Sequence, residues 1–177
     1  MRVHRVDEHG LAARLDGLAG LLADTVADGA SVGFLAPLGH EEAVAWWRGC
    51  AAAVAAGRLA VWVAYEGERV AGTVSLALPG RPNGRHRAEL VKLMVSRRAR
   101  GRGLGRRLLA TAEEAAAADG LTLLHLDTET GSAAEHLYRS AGWTPAGTIP
   151  DYAADPGGVL RPTTLYYKRI GAPALAG

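Results

Sequence analysis

Leucines at 11, 15, 18, 21 and 22 recur at helical spacing, so DEHGLAARLDGLAGLLADTVAD predicts a first helix over 7–28. The connector DGASVGFLAPLG, with its glycines and proline, ends that pattern. HEEAVAWWRGCAAAVAAG predicts a second helix over 40–57. Glu41 and Glu42 sit in its first turn, where the helix dipole favours acidic groups, and Gly57 closes it. Two β-rich apolar runs then flank EGE and predict a hairpin with strands near 59–65 and 69–78. AELVKLMV predicts a strand over 88–95, and a Leu- and Ala-rich helix follows over 103–118. LTLLHLD, 121–127, is almost continuously apolar, the pattern of a strand covered on both faces. SAAEHLYRSAG predicts a short helix opened by a capping box of Ser132 and Glu135. GWTPAGTIPDY and TTLYYKRI predict a last pair of strands joined by AADPGGVLRP. The order predicts one α/β domain over 1–177 with a mixed sheet flanked by helices.

Composition narrows the setting. The 177 residues, 49% hydrophobic and 21% charged, are globular in composition. The N-terminus has no apolar run and no stretch approaches the roughly 20 apolar residues of a membrane span, so no membrane partner is expected. A single cysteine, Cys50, cannot form an internal disulfide and fits a reducing, cytoplasmic setting. No His/Cys/Asp spacing predicts a metal site. The net charge is +2, yet residues 97–109, RRARGRGLGRRLL, hold six arginines; without them the chain carries −4. Basic character this local fits a dedicated anion site better than a nucleic-acid face, and no aromatics interleave with the arginines as stacking platforms would.

That stretch runs from the strand VKLMV into a helix. Its glycines at 101, 103 and 105 let backbone N–H groups approach a ligand, and the helix start adds unpaired donors and a positive dipole end. A Walker loop would need Lys-Ser/Thr after the last glycine, where Arg106 and Arg107 stand, and a Rossmann motif from Gly101 would need glycine at 106. The pattern that fits is R-x-x-G-x-G, with Arg100, Gly103 and Gly105. The bland alternative is a solvated arginine loop.

The loop resembles the pyrophosphate signature of the Gcn5-related N-acetyltransferases, the GNAT superfamily. GSAAEHLYRSAGW at 131–143 resembles that superfamily's N-x-x-A-x-x-L-Y-x-x-x-G-F helix through Ala134, Leu137, Tyr138, Gly142 and Trp143, with Gly131 in place of the asparagine. The resemblance implies a mostly antiparallel mixed sheet with splayed strands 4 and 5, and acetyl-CoA as cosubstrate. It implies cofactor contacts from Leu93, Met94 and Val95 and from Arg100, Gly101, Arg102, Gly103, Leu104, Gly105 and Arg106, with Ser132 a substitute for the missing asparagine. GASVGF, RPNG, KLMV and ARGRGLGR also resemble the tabtoxin-resistance acetyltransferases, which implies a small amino-acid-like amine as acceptor.

Acetyl transfer to an amine needs a base, since an ammonium is no nucleophile, and an acid for the departing thiolate. The resemblance implies Tyr138 as the acid. Asp127, at the end of an apolar strand, is the candidate base, with Glu89, in the strand leading to the thioester, and Glu129 as competitors. Lys92 is unexpected inside a central strand and is read as pairing with a carboxylate or reaching outward. His125, between two leucines, reads as structural, and Cys50 as packing. Ser31, Phe34, Trp46 and Trp47 form one expected substrate wall, with one of the two tryptophans filling core. Glu129, Asp151, Tyr152 and Asp155 bring acidic and aromatic groups to the other. The expected protein is a monomeric or homodimeric N-acetyltransferase. A protein-amine or aminoglycoside enzyme, a silent acyl-CoA-binding module and a nucleic-acid binder are the alternatives.

Overall fold

A computed structural model describes residues 1–171. Seven strands, β1 (Arg2–Val6), β2 (Leu59–Glu66), β3 (Arg69–Ala77), β4 (Arg87–Val95), β5 (Leu123–Glu129), β6 (Thr144–Ala154) and β7 (Leu160–Arg169), form one sheet. Its order is β1-β2-β3-β4-β5-β7-β6. Every neighbouring pair is antiparallel except β4 and β5, which run parallel. The sheet separates two groups of helices, α1 (Glu8–Ala12), α2 (Leu15–Ala27), α3 (His40–Gly49) and α4 (Ala51–Ala55) from α5 (Leu104–Ala118) and α6 (Ala133–Ser140).

Strand alternation sorts the core between these groups. Ala60, Trp62 and Ala64 of β2 pack with Leu104, Leu108 and Tyr138 on the α5/α6 side. Val61 and Val63, one step out of phase, pack with Leu11, Leu18, Leu22 and Trp47 on the other. Each leucine so buried contributes about 1.5–3 kcal/mol.

Two expected helices are each divided, and one strand is added. The helix expected over 7–28 is two helices broken at Ala13 and Arg14, and Asp7 is the first one's cap, accepting a hydrogen bond from Gly10 N at 2.7 Å. Leu11 and Leu18 enter one core from either side of the break, so the leucine spacing runs through it unmarked. The second helix divides at Cys50. β1 is an unexpected strand; as an edge strand with mostly exposed side chains, RVHRV lacks the apolar alternation that would have marked it.

The feature that positions the site lies between β4 and β5. They pair only at Arg87↔Leu123, Ala88↔Leu124 and Glu89↔His125, then part. On its other side β4 stays paired to β3, but Val91 to Met94 faces only Ser75 to Thr73, so one extra residue is accommodated. Lys92, at φ 54, marks this bulge. The expected splay is therefore present, and it leaves the backbone edge of Leu90–Val95 that faces β5 without a strand partner.

A candidate active site at the splayed strands

The loop 100–104 and the start of α5 stand at the mouth of the gap. Gly103 caps α5 in the left-handed region, φ 75, which favours glycine, and it has no side chain to satisfy the first-turn N–H groups. Those donors and the dipole end of a 15-residue helix fit a phosphate. Gly105 does something else. A Cβ there would stand 3.2 Å from Leu137 Cδ2, so this glycine lets α5 approach α6.

The arginines are more committed than their sequence implies. Arg100 donates from Nε to Val95 O at 3.1 Å and pairs with Asp28 at 3.0 Å. Arg97 pairs with the same carboxylate, Arg102 with Glu66 at 2.5 Å, and Arg106 donates to Ser140 Oγ at 2.8 Å. Arg100 thus braces the loop from below, while the backbone offers the donors. Asp28, 8% exposed at the end of α2, received no role from sequence; its only signal was its place at a helix end.

At the gap, Leu93 and Val95 turn their side chains to the α5/α6 core and Met94 to the other, so it is the backbone that faces β5. Tyr138 of α6 approaches from the α5/α6 side, 6% exposed, its ring centroid 5.8 Å from that of Trp143 and 6.5 Å from that of Tyr166. Burial, and then the charge of Asp127, raise its pKa above the ordinary tyrosine value. Ser132 is less free than expected, because its hydroxyl accepts from Glu135 N at 3.2 Å and lies 3.4 Å from Thr128 Oγ1. The expected capping box is half formed. Glu135 reaches past Ser132 to Gly131 N, at 2.6 Å, and also accepts from Tyr166 Oη at 2.7 Å.

The opposite side of the gap carries the charges. Alternation places Glu89, His125 and Asp127 on one face, with Leu165 opposite Asp127 and Tyr167 opposite His125. Those two side chains remain partly exposed, an uncovered strip of sheet that TTLYYKRI encodes in its odd positions. His125 Nε2 lies 2.9 Å from Arg87 Nη1, and burial lowers its pKa. Lys92 turns the same way. It makes no ion pair among the described residues; its Nζ donates to Val32 O at 2.7 Å and lies 5.0 Å from the Trp46 ring centroid and 5.4 Å from that of Phe34. This corrects the expected carboxylate pairing.

Trp46 and Phe34 meet edge to face at 5.5 Å and form the wall beside Lys92, with Ser31 half-buried in the same connector. Trp47 is fully buried in the core and supports Trp46 from behind, so it cannot touch an acceptor. Ala36 N donates to Pro156 O at 2.8 Å, tying this connector to the β6–β7 loop. In that loop Asp155 is occupied by Val159 N and Arg161 Nε, a turn-forming role. Asp151 and Tyr152 are exposed in a β6 bulge, and Glu129 is partly buried at the end of β5, level with Thr163. The structure brings Glu89, Asp127, Lys92, Phe34 and Trp46 to one side of the gap and Tyr138 to the other.

A profile of the acetyltransferase (GNAT) family matches residues 24–143. N-acetyltransferase 8B of Rattus norvegicus is 39% identical over 89 residues, 49% of this chain and 40% of that protein; the chain thus spans about two fifths of this relative. Among solved structures, the ribosomal-protein-alanine N-acetyltransferase of Brucella melitensis superposes with a TM-score of 0.73 at 26% identity, over 96% of this chain and all of that one. The yncA protein of Salmonella typhimurium, solved with its cofactor acetyl-CoA, shares the fold with a TM-score of 0.77 at 21% identity, over 100% and 98% of the two chains. No helix among the described residues is long and apolar enough to cross a membrane.

Proposed function

The chain belongs to the acetyltransferase (GNAT) family, and from that premise we propose that it acts as one domain to move an acetyl group from acetyl-CoA to the primary amine of a small amino-acid-like molecule. The observation that carries this reading is the parting of β4 and β5 beside the Lys92 bulge, between Tyr138 on one face and Glu89 and Asp127 on the other. The residues fit acetyl-CoA. The α5 N-terminus offers uncapped donors for the pyrophosphate, and the free edge of Leu90–Val95 offers N–H and C=O groups to a strand-like pantetheine. Bound there, acetyl-CoA supplies an activated acyl carbonyl.

The chain's own groups supply the rest. Asp127 or Glu89 takes the proton that the acceptor ammonium must lose. Backbone N–H groups of 93–95 donate toward the acyl oxygen as it gains charge. Tyr138 holds its proton until the thiolate departs. The half-buried wall of Phe34 and Trp46 favours a small acceptor, of the kind the tabtoxin-resistance enzymes take, and a role in neutralising such a toxin follows from that reading.

The name of the Brucella melitensis neighbour supports a second reading, a protein N-terminal amine as acceptor. Free-thiol release from acetyl-CoA against β-lactam amino acids, ordinary amino acids, aminoglycosides and an alanine-starting peptide separates the two. Release with the amino-acid members alone is expected. Release with the peptide alone favours the second reading, and none anywhere overturns both.

A further inference from the structure

Lys92 stands in a position that packing alone does not explain. An L-residue in the left-handed region costs roughly 1–2 kcal/mol, and the strand from Leu90 to Val95 is otherwise apolar. Its ammonium is partly buried yet has one protein acceptor, Val32 O, and no carboxylate at ion-pair distance among the described residues. A buried cation that leaves donors unused is costly unless something else accepts from them. The two aromatic faces, at 5.0 and 5.4 Å, fix the ammonium on the acceptor side of the gap without consuming its N–H groups.

The connector residue beside it is a glycine. Gly33 follows Val32 at φ 92, and a Cβ there would lie 3.6 Å from Lys92 Nζ. Any larger side chain would stand over the ammonium. Besides the Cys50 thiol, which burial holds protonated, the acidic groups that act on Lys92 are Asp127 and Glu89, on the same face of the sheet. The floor of the acceptor side therefore carries the Lys92 ammonium and the Glu89 and Asp127 carboxylates, none of them in an ion pair among the described residues, with Arg87 further along the same face against His125. A zwitterion with its own ammonium and carboxylate matches that arrangement.

We propose that Lys92 binds the carboxylate of the acceptor, so that the acceptor is a zwitterionic α-amino acid or a close analogue whose amine lies toward Asp127 and Glu89. This rests on the acetyltransferase reading above and names the feature its acceptor must carry. Burial lowers the pKa of Lys92, and a carboxylate bound beside it favours the charged form again.

The test uses the full chain with acetyl-CoA and acceptor pairs that differ only in the carboxylate: L-phenylalanine with 2-phenylethylamine, L-leucine with 3-methylbutylamine, and L-glutamine with 4-aminobutanamide. Wild type is expected to prefer the amino acid of the pair it turns over. In Lys92→Met the KM for that amino acid should rise about 10- to 100-fold, as expected for losing a charged hydrogen bond, with the KM values of the matched amine and acetyl-CoA held. Lys92→Arg should restore part of the preference, and Lys92→Gln serves where the methionine variant fails to fold. An equal rise in KM for both members of a pair overturns the proposal, as does a wild type that accepts the plain amines equally well.

Binding is read apart from turnover by tryptophan fluorescence with free CoA and the L-amino acids. A saturable change in wild type that Lys92→Met abolishes supports the carboxylate site even without acetylation, and then the catalytic reading alone fails. No such change, together with turnover of plain amines or peptides, overturns the carboxylate site and leaves the acetyltransferase reading standing.

Discussion

A phenol can give or take a proton, and its surroundings decide which. Tyr138 is buried and stands in the field of Asp127, and both effects disfavour phenolate. Its pKa therefore lies above the ordinary value of about 10, and at neutral pH it is a donor, never a base. Tyr138→Phe removes the donor while keeping the ring that packs against Trp143 and Tyr166. Turnover should fall about 10²-fold or more, the usual contribution of a positioned acid, while CoA affinity measured by calorimetry stays within twofold. Unchanged turnover removes Tyr138 from the chemistry. His125 shows the opposite outcome of burial: its depressed pKa keeps it neutral, so that Nε2 can accept from Arg87. Cys50 is also held away from chemistry, because burial pushes its thiol up and Sγ donates to Trp46 O at 3.5 Å.

Helix α6 brings Tyr138 to the gap, and Glu135 sets the position of α6. Its carboxylate joins the helix N-terminus at Gly131 to β7 at Tyr166, and Arg139 closes the cluster at 3.1 Å. The Tyr166 hydroxyl first, then the Gly131 N–H, hold its pKa below the usual carboxylate range. A folded pKa below the unfolded value, about 4.3, stabilises the fold fully above that value and loses the contribution as pH falls through the folded pKa. Glu135→Gln lacks the charge at every pH. Its stability deficit by urea denaturation should be largest near neutrality and shrink toward pH 3; a deficit independent of pH would contradict this role. The half of this motif that sequence could show was the Ser132 cap, because S-x-x-E is local spacing. The reach to Gly131 and the link to Tyr166 depend on how far α6 lies from β7, which no local pattern records. The same division holds elsewhere. The strands around the gap were legible from apolar runs and the R-x-x-G-x-G loop from its glycines. The break at Arg14, the edge strand β1 and the partners of Arg100 were not, because each is decided by tertiary contact.

On the scale of the whole molecule, one irregular segment joins the two halves of the site. The connector after α2 begins at Asp28, which holds Arg97 and Arg100 before the start of α5; it passes Val32, which accepts from Lys92; and it meets the β6–β7 loop at Pro156. Phe34 of the acceptor wall lies between the last two points. The loop proposed to cradle phosphate and the wall proposed to face the acceptor are therefore braced by the same dozen residues. Loss of one anchor should be felt at both proposed sites. The arginines of this pair are partly exposed, which discounts the interaction to about 1 kcal/mol. Asp28→Asn keeps the shape of the side chain and removes its charge. It should raise KM for acetyl-CoA and for the acceptor together, each by roughly fivefold, with little change in kcat. Steady-state kinetics with each substrate varied in turn decides the point. A change confined to acetyl-CoA would mean that Asp28 serves the phosphate loop alone and that the acceptor wall is held by Lys92 and Pro156 without it.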